Sequence, residues 1–204
     1  MRILAAAAIA ALLLAPRPVS GRQAPVELES LMTTPVWLFD GARQVSQGTG
    51  FFYGNLKPDG TTDPNAVFFV TNYHVVTGHA PLLRTPRQGD RIRFALHTDL
   101  NNLEAIREYE LPLYDAHNDP IWLSSQQYAN ADIVMVPMPQ RALPLLVFTE
   151  QHTTANLKIR PTSGATLIGY PYGFFDRRHL LPIWKTGHLA SEPDVDFEIG
   201  RAHV

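Results

Sequence analysis

The chain has 204 residues, 45% of them hydrophobic, a formal net charge of −2 and no cysteine. That length and apolar content allow one domain, or two small barrels sharing an interface, with a real core. The balanced charge gives no reason to expect a nucleic-acid or acidic-substrate binder, and the missing thiols exclude disulfides, a lipid-modified cysteine and cysteine-ligated zinc.

Residues 1–21 read as an export signal. Arg2 is a minimal positive region, Ile3 to Ala15 is an unbroken apolar stretch, Pro16-Arg17-Pro18 breaks it, and Ser20 and Gly21 are small enough for cleavage. The stretch falls short of the roughly 20 apolar residues that span a bilayer. The expectation is therefore a protein exported to the periplasm or the extracellular space, with no membrane contact after signal cleavage. Residues 22–34 are polar and read as a linker or a short leading strand.

Short β-branched and aromatic runs follow, separated by turn residues; 17 prolines and 13 glycines exceed what a helical bundle tolerates. Val36 to Phe39 is a predicted strand closed by Asp40-Gly41. Gln47 to Gly54 is a second, and Lys57 to Asn65 a loop. Val67 to Thr71 is a third strand. Arg91 to His97 is a fourth, with Ile92, Phe94 and Leu96 alternating against Arg91, Arg93 and Ala95. Asn101 to Ile106 is the longest plausible helix. Glu108–Leu111, Ile121–Leu123 and Asp132–Val136 are further strands, the last ended by Pro137-Met138-Pro139. Leu145–Phe148, Thr166–Gly169 and Ile183–Leu189 form a later set. The regular spacing favours Greek-key barrels over a parallel α/β sheet, so the expected fold class is all-β.

Two segments carry the candidate chemistry. In Val67-Phe68-Phe69-Val70-Thr71-Asn72-Tyr73-His74-Val75-Val76, His74 stands at the end of an apolar run; in Ala131-Asp132-Ile133-Val134-Met135-Val136, Asp132 opens one. A lone histidine after an apolar strand is more often structural than catalytic. Imidazole nonetheless titrates near neutral pH, so a carboxylate that fixes its tautomer makes it a proton acceptor and donor. An aspartate adjoining a buried strand is costly unless paired. By itself Asp132 reads equally as a strand-edge residue facing water or as a turn cap after Asn130.

Taken together and in order, Gln47-Gly48-Thr49-Gly50-Phe51-Phe52, Thr71-Asn72-Tyr73-His74-Val75-Val76, Trp122 and Asp132-Ile133-Val134 resemble the trypsin-like serine peptidases of the bacterial exported type. The resemblance runs from Trp37 to Pro193. It implies two Greek-key β-barrels: an essentially complete first barrel over 35–140 carrying His74 and Asp132, and an incomplete second over 141–197. It implies a Ser-His-Asp endopeptidase acting on protein or peptide substrates, with His74 the general base and Asp132 its orienting carboxylate. The rival reading is a non-catalytic peptide- or protein-binding barrel that keeps the architecture.

The resemblance also implies a Gly-x-Ser-Gly nucleophile loop, which the sequence lacks. Ser163 has no preceding glycine, and Ser191 lies in Leu-Ala-Ser-Glu-Pro; neither is nominated. The expectation is a chain cut before its serine and inactive on its own. Residues 198–204, Glu-Ile-Gly-Arg-Ala-His-Val, back-translate to GAG-ATC-GGA-AGA-GCA-CAC-GTC, the start of a common sequencing adapter, and are expected to be a non-native tail.

Other patterns carry less. Arg84, Arg87, Arg91 and Arg93 read as a solvated strand edge rather than a nucleic-acid site. Glu192, Asp194, Asp196 and Glu198 read as a loose acidic turn rather than a calcium loop. His74 and His79 lack the helical His-Glu-x-x-His frame of zinc, and Gly48-Thr49-Gly50 lacks the third glycine and helix of a dinucleotide site. No metal and no cofactor is expected.

Overall fold

The computed structural model describes residues 26–81, 88–139, 145–153 and 157–193. The signal, the 198–204 tail, Arg84, Arg87, Asp194 and Asp196 lie outside those residues.

Strand structure dominates, and every paired strand is antiparallel to its neighbour. Of the polar leading segment, Leu28–Met32 forms a helical turn (α1), after which the chain enters β1 (Thr33–Asp40) directly. The turn at Gly41 returns it as β2 (Arg43–Leu56), and β3 (Thr62–Thr71) pairs with β2 in turn. The predicted Lys57–Asn65 loop is shorter than expected. Asp59 accepts from both the main-chain N–H and the hydroxyl of Thr61, closing the turn early enough for β3 to begin at Thr62.

A one-turn helix, α2 (Tyr73–Thr77), ends on Gly78 in the left-handed conformation. It leads towards β4 (Arg91–His97), which pairs with β1, and β5 (Ile106–Pro112), which pairs with β4. The predicted helix at Asn101–Ile106 is absent. Asp99 and Asn102 side chains accept from the N–H groups of Asn101 and Glu104, and such local bonds compete with a helix, leaving turns that run into β5. Then β6 (Leu123–Ser124) pairs with β7 (Val134–Pro137), which pairs with β3. The resulting seven-stranded sheet has the order β5-β4-β1-β2-β3-β7-β6. Past the end of β5, the Ile121 N–H donates to the Leu113 carbonyl, and Tyr114 bridges Pro120.

The core is formed by Val36 and Leu38 from β1, Phe52 from β2, Phe69 from β3, Ile92, Phe94 and Leu96 from β4, with Val75 and Val76 from α2. Phe69 stacks on Phe94, and Phe52 meets both edge-on. Ala95, expected on the polar face of β4, is buried, and its main chain exchanges two hydrogen bonds with the Thr34 hydroxyl.

The later segment is less regular. Leu145–Phe148 forms no strand; Phe148 makes one parallel bridge to Tyr53. β8 (Gly164–Gly169) and β9 (Ile183–His188) form a separate two-stranded sheet. Neither sheet closes into a barrel among the described residues.

Candidate functional site

Both sequence-nominated residues sit where strand order turns into loop. β3 delivers the chain into α2, whose second residue is His74, while Asp132 precedes β7, the strand paired with β3. Because Thr71 faces Val134 across that ladder, the residues just outside it, Asn72 to His74 and Asp132, are held opposite one another. This adjacency comes from pairing between segments some 60 residues apart, so it is a tertiary fact.

The contact is direct. His74 Nδ1 donates to Asp132 Oδ2 at 2.6 Å, and the His74 main-chain N–H donates to Asp132 Oδ1 at 2.9 Å. A carboxylate can only accept, so the ring proton is assigned to Nδ1, which leaves Nε2 with its lone pair. Among the described residues Nε2 has no hydrogen-bond partner. The His74 and Asp132 side chains keep 50% and 38% of their surface, so solvent reaches the pair and screens it.

Glycine sets how closely α2 approaches β2. A Cβ on Gly48 would stand 2.5 Å from Val75 Cγ2, so the bare backbone of β2 is what allows Val75, next to His74, to seat in the core. On the other side of the helix Trp122 meets Tyr73 edge-on, ring centroids 5.4 Å apart. The Trp122 indole nitrogen is buried without a hydrogen-bond partner among the described residues.

His74 lines a cleft of about 680 Å³ between the two sheets. Gln47, Gly48, Thr49 and Val75 form one wall; Leu167 to Tyr172, with Ile183 and Lys185, form the other. The second wall is tied to the first where the Tyr170 N–H donates to Thr49 Oγ1 at 2.9 Å. Tyr172 stands on the rim with a left-handed backbone, φ 52°, and 90% of its surface exposed. No serine lines the cleft among the described residues. Ser163 Oγ instead accepts from the Arg160 N–H in a turn, and Ser191 lies away from the cleft lining.

Several parts of this site were not nominated from sequence. Asn72 donates through Nδ2 to the Asp132 carbonyl at 2.8 Å. Its signal was available, an asparagine two residues before the histidine at a strand-to-helix junction, where capping residues gather. No residue of the second wall was nominated, since its apolar residues read as strands of the later set, which the resemblance assigned to a second barrel. Of the basic cluster, Arg91 and Arg93 pair with Asp90, Glu108 and Glu110, and the Arg93 hydrogen bond holds the Glu110 carboxyl below its ordinary value.

An imidazole with one nitrogen committed to a carboxylate and the other open to an apolar cleft can accept a proton there and return it. No protein-family profile matches this chain, and no curated protein sequence matches it.

Proposed function

We propose that the chain carries the base half of a trypsin-like serine endopeptidase site, with His74 the general base, Asp132 its orienting carboxylate and a peptide substrate in the cleft. The observation that carries this reading is the 2.6 Å contact of His74 Nδ1 with Asp132 Oδ2 on the wall of a cleft between two sheets. A seven-stranded antiparallel sheet whose ends are tied at Leu113 and Ile121 supports a first barrel. The β8–β9 pair supports the beginning of a second.

In the proposed reaction a serine hydroxyl attacks the scissile carbonyl while His74 Nε2 takes its proton, then hands that proton to the leaving amine. Asp132 keeps the Nδ1 proton in place and stabilises the imidazolium formed between those steps. The serine is outside the described cleft-lining residues, in a Gly-x-Ser-Gly loop that the resemblance puts after the β8–β9 segment. Export through residues 1–21 belongs to the same proposal.

The test is labelling with a serine-directed fluorophosphonate. A protein that continues this sequence into a Gly-x-Ser-Gly loop is expected to label, and its His74→Ala variant to label far more slowly. The 204-residue chain alone is expected to stay unlabelled. If the coding sequence downstream of codon 197 holds no such serine, while peptides still bind the cleft, the molecule is the non-catalytic binding module instead. The observation that bears on this second reading is the open, largely apolar cleft between the sheets, which a peptide can occupy without a nucleophile.

A further inference from the structure

We infer that Asn72 is a positioning residue, whose side-chain amide holds the Asp132 segment so that the carboxylate remains on His74. The inference rests on the proposed role of the His74–Asp132 pair and adds to it the group that keeps the pair assembled.

Asn72 occupies the N-cap of α2 with extended backbone angles, φ −77° and ψ 148°. Asparagine is favoured there because its side-chain oxygen accepts an N–H from the second or third helical residue. Asn72 makes no such bond. Its amide turns across to the other segment, and because a carbonyl only accepts, the atom 2.8 Å from the Asp132 carbonyl is the donor Nδ2. The capping duty it leaves is taken up by Asp132, whose Oδ1 accepts from the N–H of His74, the second residue of α2.

The two segments therefore cap each other reciprocally. The Asn72 side chain holds the Asp132 main chain, and the Asp132 side chain holds the His74 main chain and ring. Asp132 needs such a hold because it lies outside regular structure: residues 131–133 precede β7, and the ladder with β3 starts at Val134. Of the three bonds joining Asp132 to Asn72 and His74, two end on the carboxylate itself. Of these three bonds only the one from Asn72 fixes the aspartate without using that group, so beyond the β3–β7 ladder it adds a hold on Asp132 that persists while the His74 ring gains and loses a proton. An orienting carboxylate that drifts by an ångström costs catalysis on the order of 10²-fold.

The experiment uses the full 204-residue chain labelled with ¹⁵N-histidine, and reads the water-exchange rate of the proton on His74 Nδ1 together with the ring tautomer. Asn72→Ala removes both donor and cap oxygen, whereas Asn72→Ser keeps an N-cap oxygen but shortens the reach. Both are expected to speed Nδ1 proton exchange at least about tenfold and to mix the tautomers, with melting temperatures near the parent's because Asn72 is exposed. If Asn72 were only a helix cap, the serine variant would behave as the parent.

Exchange within twofold of the parent in both Asn72 variants, while Asp132→Asn abolishes the protection, overturns the Asn72 role and leaves the paired base intact. Unchanged exchange in Asp132→Asn as well means that the pair does not form in solution, which defeats the proposed function itself. Should one Asn72 variant fail to fold, the other carries the comparison. In a serine-containing form, the same substitutions are expected to lower kcat about 10- to 10²-fold.

Discussion

Asp132 spends both carboxylate oxygens on one residue, accepting from the main-chain N–H and the ring of His74. Position and tautomer of the imidazole are thereby set by the same group. Asp132→Asn would present an amide to Nδ1, turn the ring to the other tautomer and leave Nε2 protonated when it should accept. In a serine-containing form of the protein this is expected to cost on the order of 10⁴ in turnover, measured as kcat on a peptide substrate. A loss of less than tenfold would remove Asp132 from the mechanism. Tyr172 offers a test with the opposite sign. Its left-handed backbone is unfavourable for a tyrosine, and its ring is almost wholly exposed at the cleft rim. Asparagine adopts that conformation at lower cost, so Tyr172→Asn should raise unfolding free energy by about 0.5–1 kcal/mol in urea titrations. Destabilisation would show that the ring makes contacts that outweigh the strain.

The junction of β2 and α2 decides how His74 is presented. Gly48 lies on β2 opposite Val75, and Val75 belongs both to the core and to the turn of helix that carries the imidazole. A methyl group at position 48 must displace Val75 Cγ2, which stands 2.5 Å from where it would be placed. Gly48→Ala is accordingly expected to destabilise the protein by about 1–3 kcal/mol, the usual cost of overpacking a closed contact. Denaturant unfolding measures this directly, and a cost below about 0.5 kcal/mol would mean that α2 moves freely on the sheet. Gly50 serves β3 in the same way, its bare backbone lying beneath the ring of Phe69. The Gly-Thr-Gly segment is thus a packing surface for two different elements, and between its glycines Thr49 accepts the Tyr170 N–H from the second sheet.

Across the whole molecule, the two sheets are joined by a few polar ties around a buried tyrosine. Burial pushes the Tyr170 hydroxyl well above its ordinary value, so it stays protonated and donates to the Leu180 carbonyl at 2.9 Å. Nearby, His97 Nε2 donates to the His179 carbonyl, Arg178 pairs with Glu104, and His179 Nδ1 contacts Asp176. The His179 side chain, followed by the Arg178 N–H, holds the Asp176 carboxyl below its ordinary value of 3.8. A carboxylate depressed on folding adds stability that is present above its ordinary value and lost as the pH falls through the folded one. Asp176→Asn should therefore lie below the parent in urea midpoint at about pH 5, with the gap narrowing as the pH falls below the ordinary value of 3.8. A gap independent of pH would show that the Asp176 charge does not stabilise the tie. On the second sheet, Leu167 and Ile183 on the cleft wall and Trp184 on the opposite face remain exposed.

Local chemistry made much of this legible in the residues alone. Period-two alternation marked β4 with its observed bounds, apolar runs located β1, β2, β3 and β7, and turn residues separated them. His74 and Asp132 each stand at the end of an apolar run, where a polar side chain is costly unless met, and the resemblance to trypsin-like peptidases nominated them as base and orienting carboxylate. Local residue patterns did not decide that each would be met by the other, which only the resemblance implied, and nothing in the sequence indicated that Asn72 would give up its cap to hold them together. It also left open that Leu145–Phe148 would stay outside the strands while Leu167 to Tyr172 walled the cleft. Those outcomes depend on contacts between residues distant along the chain, in which a partner's position, rather than local backbone preference, sets the energy. The tertiary structure decided them because only the pairing of β3 with β7 brings residues 72–74 and 132 within hydrogen-bond reach.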